Sequence, residues 1–106
     1  MKQYKLVVTV PESDGDRLRE AIGDAGGGKV GDYSYCSFTV KGTGRFKPEV
    51  GANPAIGSVG EMEEVVEDRI EVNCDDSTLE NVRKAVLAVH PYEEPVIDVY
   101  PLFSQE

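Results

Sequence analysis

Residues 90–102 read HPYEEPVIDVYPL, and they settle how the second half of the chain is organised. An apolar pattern of helical spacing runs into His90. Pro91 disfavours helix at the residue before it, so the helix stops there. Pro91 and Pro95 bracket Tyr92, Glu93 and Glu94 at a corner. Residues 96–103, VIDVYPLF, then alternate as a strand. Proline has no N–H to give to a ladder, so Pro101 puts this strand at a sheet edge or margin.

Working back from the corner, Leu79, Val82, Val86 and Val89 make the inward stripe of that helix, with Arg83 and Lys84 outward. Ser77 and Glu80 read as a capping box, with Asp75 and Asp76 near the positive helix end. The same acids lack the spacing of a calcium loop. Residues 62–73, MEEVVEDRIEVN, read as a strand. The acids Glu61, Glu63, Glu64, Glu67, Asp68 and Glu71 suit an edge or a solvated face.

The first half repeats the scheme. Residues 3–10 alternate and are β-branched, so they form a strand that Pro11 ends. Ser13 and Asp16 form a loose capping box ahead of Leu18, Ala21, Ile22 and Ala25, and Gly26, Gly27 and Gly28 stop this helix. Residues 33–42 read as the next strand, with Tyr33, Tyr35, Ser37 and Thr39 on one face and Ser34, Cys36, Phe38 and Val40 on the other. Residues 42–61 carry five glycines and two prolines, too many for long regular structure. They form either an Ω-like loop packed by Phe46, Val50 and Ile56, or a loop that recognises a ligand or partner.

The order strand, helix, strand, long loop, strand, helix, strand is βαββαβ. With right-handed crossovers it gives an α+β, ferredoxin-like fold: one antiparallel four-stranded sheet with both helices on one face. Residues 1–106 are expected to be a single domain. The uncovered face carries a consequence. Val7, Tyr35, Val65 and Ile97 cannot all point at the helices, so self-association is expected.

A net charge of -9, from 11 basic and 20 acidic residues, argues against nucleic acid and acidic lipid surfaces, which need basic patches. No apolar run approaches the roughly 18 residues of a membrane span. The start, MKQYKLVVTV, reads as a strand and not a signal peptide, so a cytoplasmic setting is expected. Cys36 and Cys74 lack metal-ligand spacing and are expected to be two buried thiols.

Chemistry-bearing residues gather at two places. His90 and Glu93, with Glu94, are of the kinds that bind divalent metals, but a metal needs three or four ligands. Another subunit would have to complete the set. The structural alternative has His90 capping the last helix carbonyls, Tyr92 packing and one of the glutamates accepting a hydrogen bond. In the long loop, glycines could bring N–H groups to an anion, with Arg45 and Lys47 supplying charge. GTGRF matches no phosphate-loop pattern. The single histidine, beside carboxylates, gives no support to a nucleophilic triad.

Three segments carry a family resemblance: the opening YKLVVTVPESDGDRLREAIGDAGGGKVGDYSYCSF, the loop GTGRFKPEVGANPAIGSVGEMEEVVEDRIE, and the end AVHPYEEPVIDVYPL. The HPYEEP step is similar to one in CutA-type divalent-cation tolerance proteins. Together the three segments resemble more closely the YqfO-type inserted domain of the NGG-one-interacting-factor (Nif-three-like) family. That resemblance implies a PII/CutA-like fold, commonly trimeric. It also implies, by analogy with PII, that the loop between strands two and three meets ligands and partners. In full-length relatives the paired metals sit in the flanking domain. With a single histidine, this sequence does not carry that centre or its hydrolase activity.

The reading is therefore a stand-alone Nif-three-like accessory domain. It is expected to be a non-enzymatic homo-oligomer, trimer before dimer, that binds a small ligand, a metal or another protein. Arg45, Phe46, Lys47, Tyr92, Glu93 and Glu94 are its candidate ligand-binding residues. His90 and Glu93 are candidates for a divalent metal as cofactor. The alternatives are CutA-like divalent-cation binding and a subunit associated with a metal-dependent hydrolase.

Overall fold

The computed structural model describes residues 1–103; the last three residues of the expected 1–106 domain lie outside the described residues. Strand β1 (Gln3–Pro11) leads through a 3-10 turn into helix α1 (Gly15–Asp24). Strands β2 (Phe38–Phe46) and β3 (Glu63–Asp75) follow, then helix α2 (Leu79–Val89) and strand β4 (Ile97–Pro101). The sheet order is β2-β3-β1-β4 with every neighbour antiparallel. This is the expected βαββαβ arrangement.

Strand alternation sorts the residues into two faces. Leu6, Val8 and Val10 of β1 and Ile70, Val72 and Cys74 of β3 meet Leu18 and Ile22 of α1 and Val82 and Val86 of α2 in one core. Each fully buried aliphatic side chain contributes about 1.5–3 kcal/mol by leaving water. Leu79, Val89, Ile97 and Val99 pack around it. Ile97 therefore belongs to the helix side. Val7 pairs across to Glu71, and Val65 to Gly44, on the opposite, helix-free face. Tyr35 lies in no strand; its ring covers the place where a side chain on Gly23 would sit.

Several local expectations shift. The strand expected at 33–42 begins at Phe38 and runs to Phe46, so the irregular stretch is 47–62 and not 42–61. Pairing of Thr43 through Phe46 with Val66 back to Glu63 draws the glycine-bearing segment into the ladder. Beyond Pro11 and Glu67 this hairpin has no β1 beside it, and it projects as a two-stranded arm. The molecule is accordingly elongated, 49 × 22 × 22 Å.

The capping boxes at Ser13 and Ser77 do not form, as neither helix has a side-chain cap bond. Asp75 takes over at α2: its carboxylate accepts from the N–H groups of Ser77 (2.8 Å) and Thr78 (3.2 Å) and from the Ser77 hydroxyl. These bonds hold the Asp75 carboxyl below its ordinary range. Cys74 is buried, and desolvation pushes its thiol up to about 11. Cys36 is half-buried and free, so only one of the two thiols is interior.

Strand β3 is central, not an edge, and its acids do not all face water. Glu67 and Asp68 are buried. Asp68 sits on the helix side, where it accepts from Arg19 Nη1 and Lys41 Nζ, both at 3.1 Å. Arg19 also reaches Thr39 Oγ1 at 3.2 Å, and Lys41 pairs with Glu12 at 2.6 Å. One buried carboxylate thus ties α1 to β2 and β3.

Candidate functional site

A cavity of about 610 Å³ opens on the helix-free face, under the 47–62 loop and beside the 90–96 corner. Its size falls in the range of small-molecule sites. Three parts of the chain build it. The floor is the β2–β3 arm, where Gly42 presents bare backbone and the Glu67 carboxylate lies over Gly44. One wall is the loop, through Pro48, Ala52, Pro54, Ala55 and Ile56. The other wall is the corner, through Tyr92, Glu93, Glu94 and Val96.

The loop folds back on itself. Gly60 N–H donates to the Pro48 carbonyl at 2.7 Å and Ala52 N–H to the Glu49 carbonyl at 3.0 Å. This is the compact Ω-like form. Pro48 is its buried residue, and Phe46 and Ile56 are half-buried. Val50, expected to pack, is 93% exposed.

The corner is held by a chain of hydrogen bonds that starts at His90. Tyr92 N–H donates to His90 Nδ1 at 3.1 Å, so the ring proton is on Nε2, which donates to the Thr9 carbonyl at 2.7 Å. The ring therefore crosses to β1 and does not cap the last carbonyls of α2. The Tyr92 hydroxyl donates to Glu67 Oε2 at 2.7 Å, and its ring meets Phe46 edge-on at 5.9 Å between centroids. Burial, and then the bond to Glu67, raise the Tyr92 phenol well above its ordinary range, so it stays a donor. Gly44 makes room for this: any side chain there would collide with the Glu67 carboxylate. Finally, Asn53 N–H donates to both Glu93 oxygens, at 3.2 and 3.0 Å. Glu93 thus fastens the loop to the corner.

The structure brings together Phe46, Tyr92, Glu93 and Glu94 around one space. It separates Arg45 and Lys47 from the role of an anion cradle. Arg45 alternates with Gly44 and Phe46 onto the other face, where it pairs with Glu64 at 3.2 Å. Lys47 does not line the cavity; its nearest acid is Glu49 at 3.8 Å. Sequence reasoning missed Glu67, read as a solvated acid, and Gly44, read as loop. The tyrosine that satisfies Glu67 is 25 residues away, so no local pattern announces it.

Within one chain the donor set does not complete a divalent-metal site. Both His90 nitrogens are engaged with the main chain, and both Glu93 oxygens hold the loop. Among the described residues no group of three or more His, Cys, Asp or Glu side chains could hold a metal ion.

The fold and this face define the class: a CutA-like, ferredoxin-like domain. CutA1 from Oryza sativa shares the architecture with a TM-score of 0.70 at 20% identity, over 100% of this chain and 84% of that one. No family model matches the chain. Over 102 residues, 96% of its length, it is 51% identical to a GTP cyclohydrolase 1 type 2 homolog of Halalkalibacterium halodurans. A Bacillus cereus protein related to NIF3 superposes with a TM-score of 0.84 at 43% identity, covering 97% of this chain and 26% of that one. Over nearly its whole length the chain is homologous to one stretch of Nif-three-like (NIF3/YqfO) proteins. It spans 27% of the length of the Halalkalibacterium relative. Among the described residues, no helix is long and apolar enough to cross a membrane.

Proposed function

We propose that this chain is a non-enzymatic binding module that self-associates through its helix-free face and holds a ligand or protein segment in the cavity there. The single observation that carries this reading is the character of that face. Phe38 and Val40 on β2, Tyr100 on β4 and Val96 beside it are 65%, 46%, 48% and 59% exposed on this face, and Val40 and Val96 line the cavity. Exposed apolar side chains at both edges of an uncovered sheet face, beside a pocket, support an interaction site. A trimer is the favoured assembly, by likeness to the CutA fold.

The relatives named as homologs of GTP cyclohydrolase 1 type 2 are about four times as long as this chain. Cyclohydrolase activity is not assigned to this domain. In support, the sole imidazole is spent on two main-chain bonds, which leaves it no free nitrogen for proton transfer or metal ligation.

Placing a charge on the face tests the reading. Val40→Lys is expected to reduce the light-scattering mass to that of one chain, 11.6 kDa, with the circular dichroism of the fold unchanged, because an unpaired lysine in an apolar interface costs several kcal/mol. A mass that stays at the wild-type multiple would remove the helix-free face as the interface.

A further inference from the structure

The charges bordering the cavity divide in an unexpected way. Three cationic residues border it, but Lys41 and Arg45 occupy helix-side positions of β2 and only Arg69 shares the cavity's face. Each is already in an ion pair: Lys41 with Glu12 and Asp68, Arg45 with Glu64, and Arg69 with Glu71 at 3.2 Å. Three carboxylates line it too: Glu67, Glu93 and Glu94. Among the described residues no cation pairs with any of them. Glu67 has the Tyr92 hydroxyl and Glu93 has one backbone N–H. For Glu94 no hydrogen bond is found among the described residues. The cavity therefore carries uncompensated negative charge within a chain whose net charge is already -9.

Its remaining surface is apolar. Phe46 and Tyr92 offer an aromatic edge, and Pro54, Ile56 and Val96 close the sides. An anionic ligand would meet like charge with no free cation to offset it. A bare metal ion would find no three-donor set.

We infer that the cavity selects an organic cation: a ligand with an aliphatic or aromatic body that packs against Phe46 and Tyr92 and an ammonium or guanidinium group held by Glu94. This rests on the cavity being a binding site, as proposed above. It deepens that reading by naming the charge and shape of the occupant. The field of three carboxylates also concentrates cations at the mouth before contact.

A matched series of probes tests it: 3-phenylpropylamine, 3-phenylpropanol and 3-phenylpropionate, which share a body and differ in charge. Each is titrated into isotope-labelled native protein while the amide signals of Gly42, Gly44 and Phe46 are followed. The amine is expected to bind about tenfold more tightly than the carboxylate, since even one charge pair at partly screened distance is worth that much, with the alcohol between them. In Glu94→Gln, an exposed position, the gap should narrow. Equal affinities, a preference for the carboxylate, or a gap unchanged in Glu94→Gln would overturn the charge assignment and leave the cavity standing. No shift at those three residues with any probe would overturn the binding site itself, and this inference with it.

Discussion

Asp68→Ala is expected to lower the unfolding free energy by about 3 kcal/mol, as when one partner of a buried ion pair is deleted. The Asp68 side chain is 2% exposed and is the common acceptor of Arg19 and Lys41. Without it, the 28%-exposed Arg19 keeps only the exposed Asp16 and Thr39 as partners, and α1 loses its charged tie to the sheet. Lys41 is 62% exposed and can turn to water, which keeps the loss from being larger. Burial by itself would raise the Asp68 carboxyl; the hydrogen bonds from Lys41 and Arg19 together outweigh it and bring the carboxyl below its ordinary value. A carboxyl lowered by folding adds stability at pH values above its unfolded value, about 3.9, and loses it as pH falls toward and through the folded one. Urea unfolding at pH 7 and at pH 3 should therefore show wild type and Asp68→Ala well apart at the first and closer at the second. A gap of equal size at both would mean that the charge of Asp68 contributes nothing and that only its packing matters.

Gly28→Ala should be of similar severity, about 3 kcal/mol, combining a left-handed backbone with a clash. Gly28 has φ +79. It sits at the edge of β3 where β2 has not yet begun: its N–H donates to the Asn73 carbonyl and its own carbonyl accepts from Cys36 N–H, both at 2.8 Å. A methyl group on its Cα would run into the backbone of Cys36, and backbone cannot rotate aside as a side chain can. Relief requires the 29–37 segment to peel from the sheet. Thermal unfolding followed by circular dichroism measures the loss. A melting temperature within 2 °C of wild type (roughly a few tenths of a kcal/mol for a chain this size) would show that this segment is not held as described.

The parts of the fold that were legible in the sequence are those set by short-range pattern. The stripe of Val82 and Val86, the stop at Pro91 and the edge strand ending at Pro101 each follow from spacing or from proline geometry, and each is found. What was not legible depends on residues far apart. Gly44 looks like loop, yet it is strand, because β3 supplies a partner for every residue of β2 and Glu67 fills the space left by the missing Gly44 side chain. Asp68 and Glu67 look like a charged, wet strand. Their partners Arg19, Lys41 and Tyr92 lie 49, 27 and 25 residues away, so burial could not be seen locally. The same holds at the site. Tyr92, Glu93 and Glu94 are visible as a corner, but the sequence does not show that strand alternation turns the Arg45 side chain toward Glu64, away from Gly44 and Phe46.

The central claim is that a sheet covered by helices on one side only buries its other side against copies of itself. Native mass spectrometry of protein taken directly from cells tests this most directly, since it reports copy number and retained ligand together. The account predicts a dominant species of three chains of 11.6 kDa each, with any retained mass being that of a small organic cation. A spectrum of single chains at tens of micromolar would contradict it.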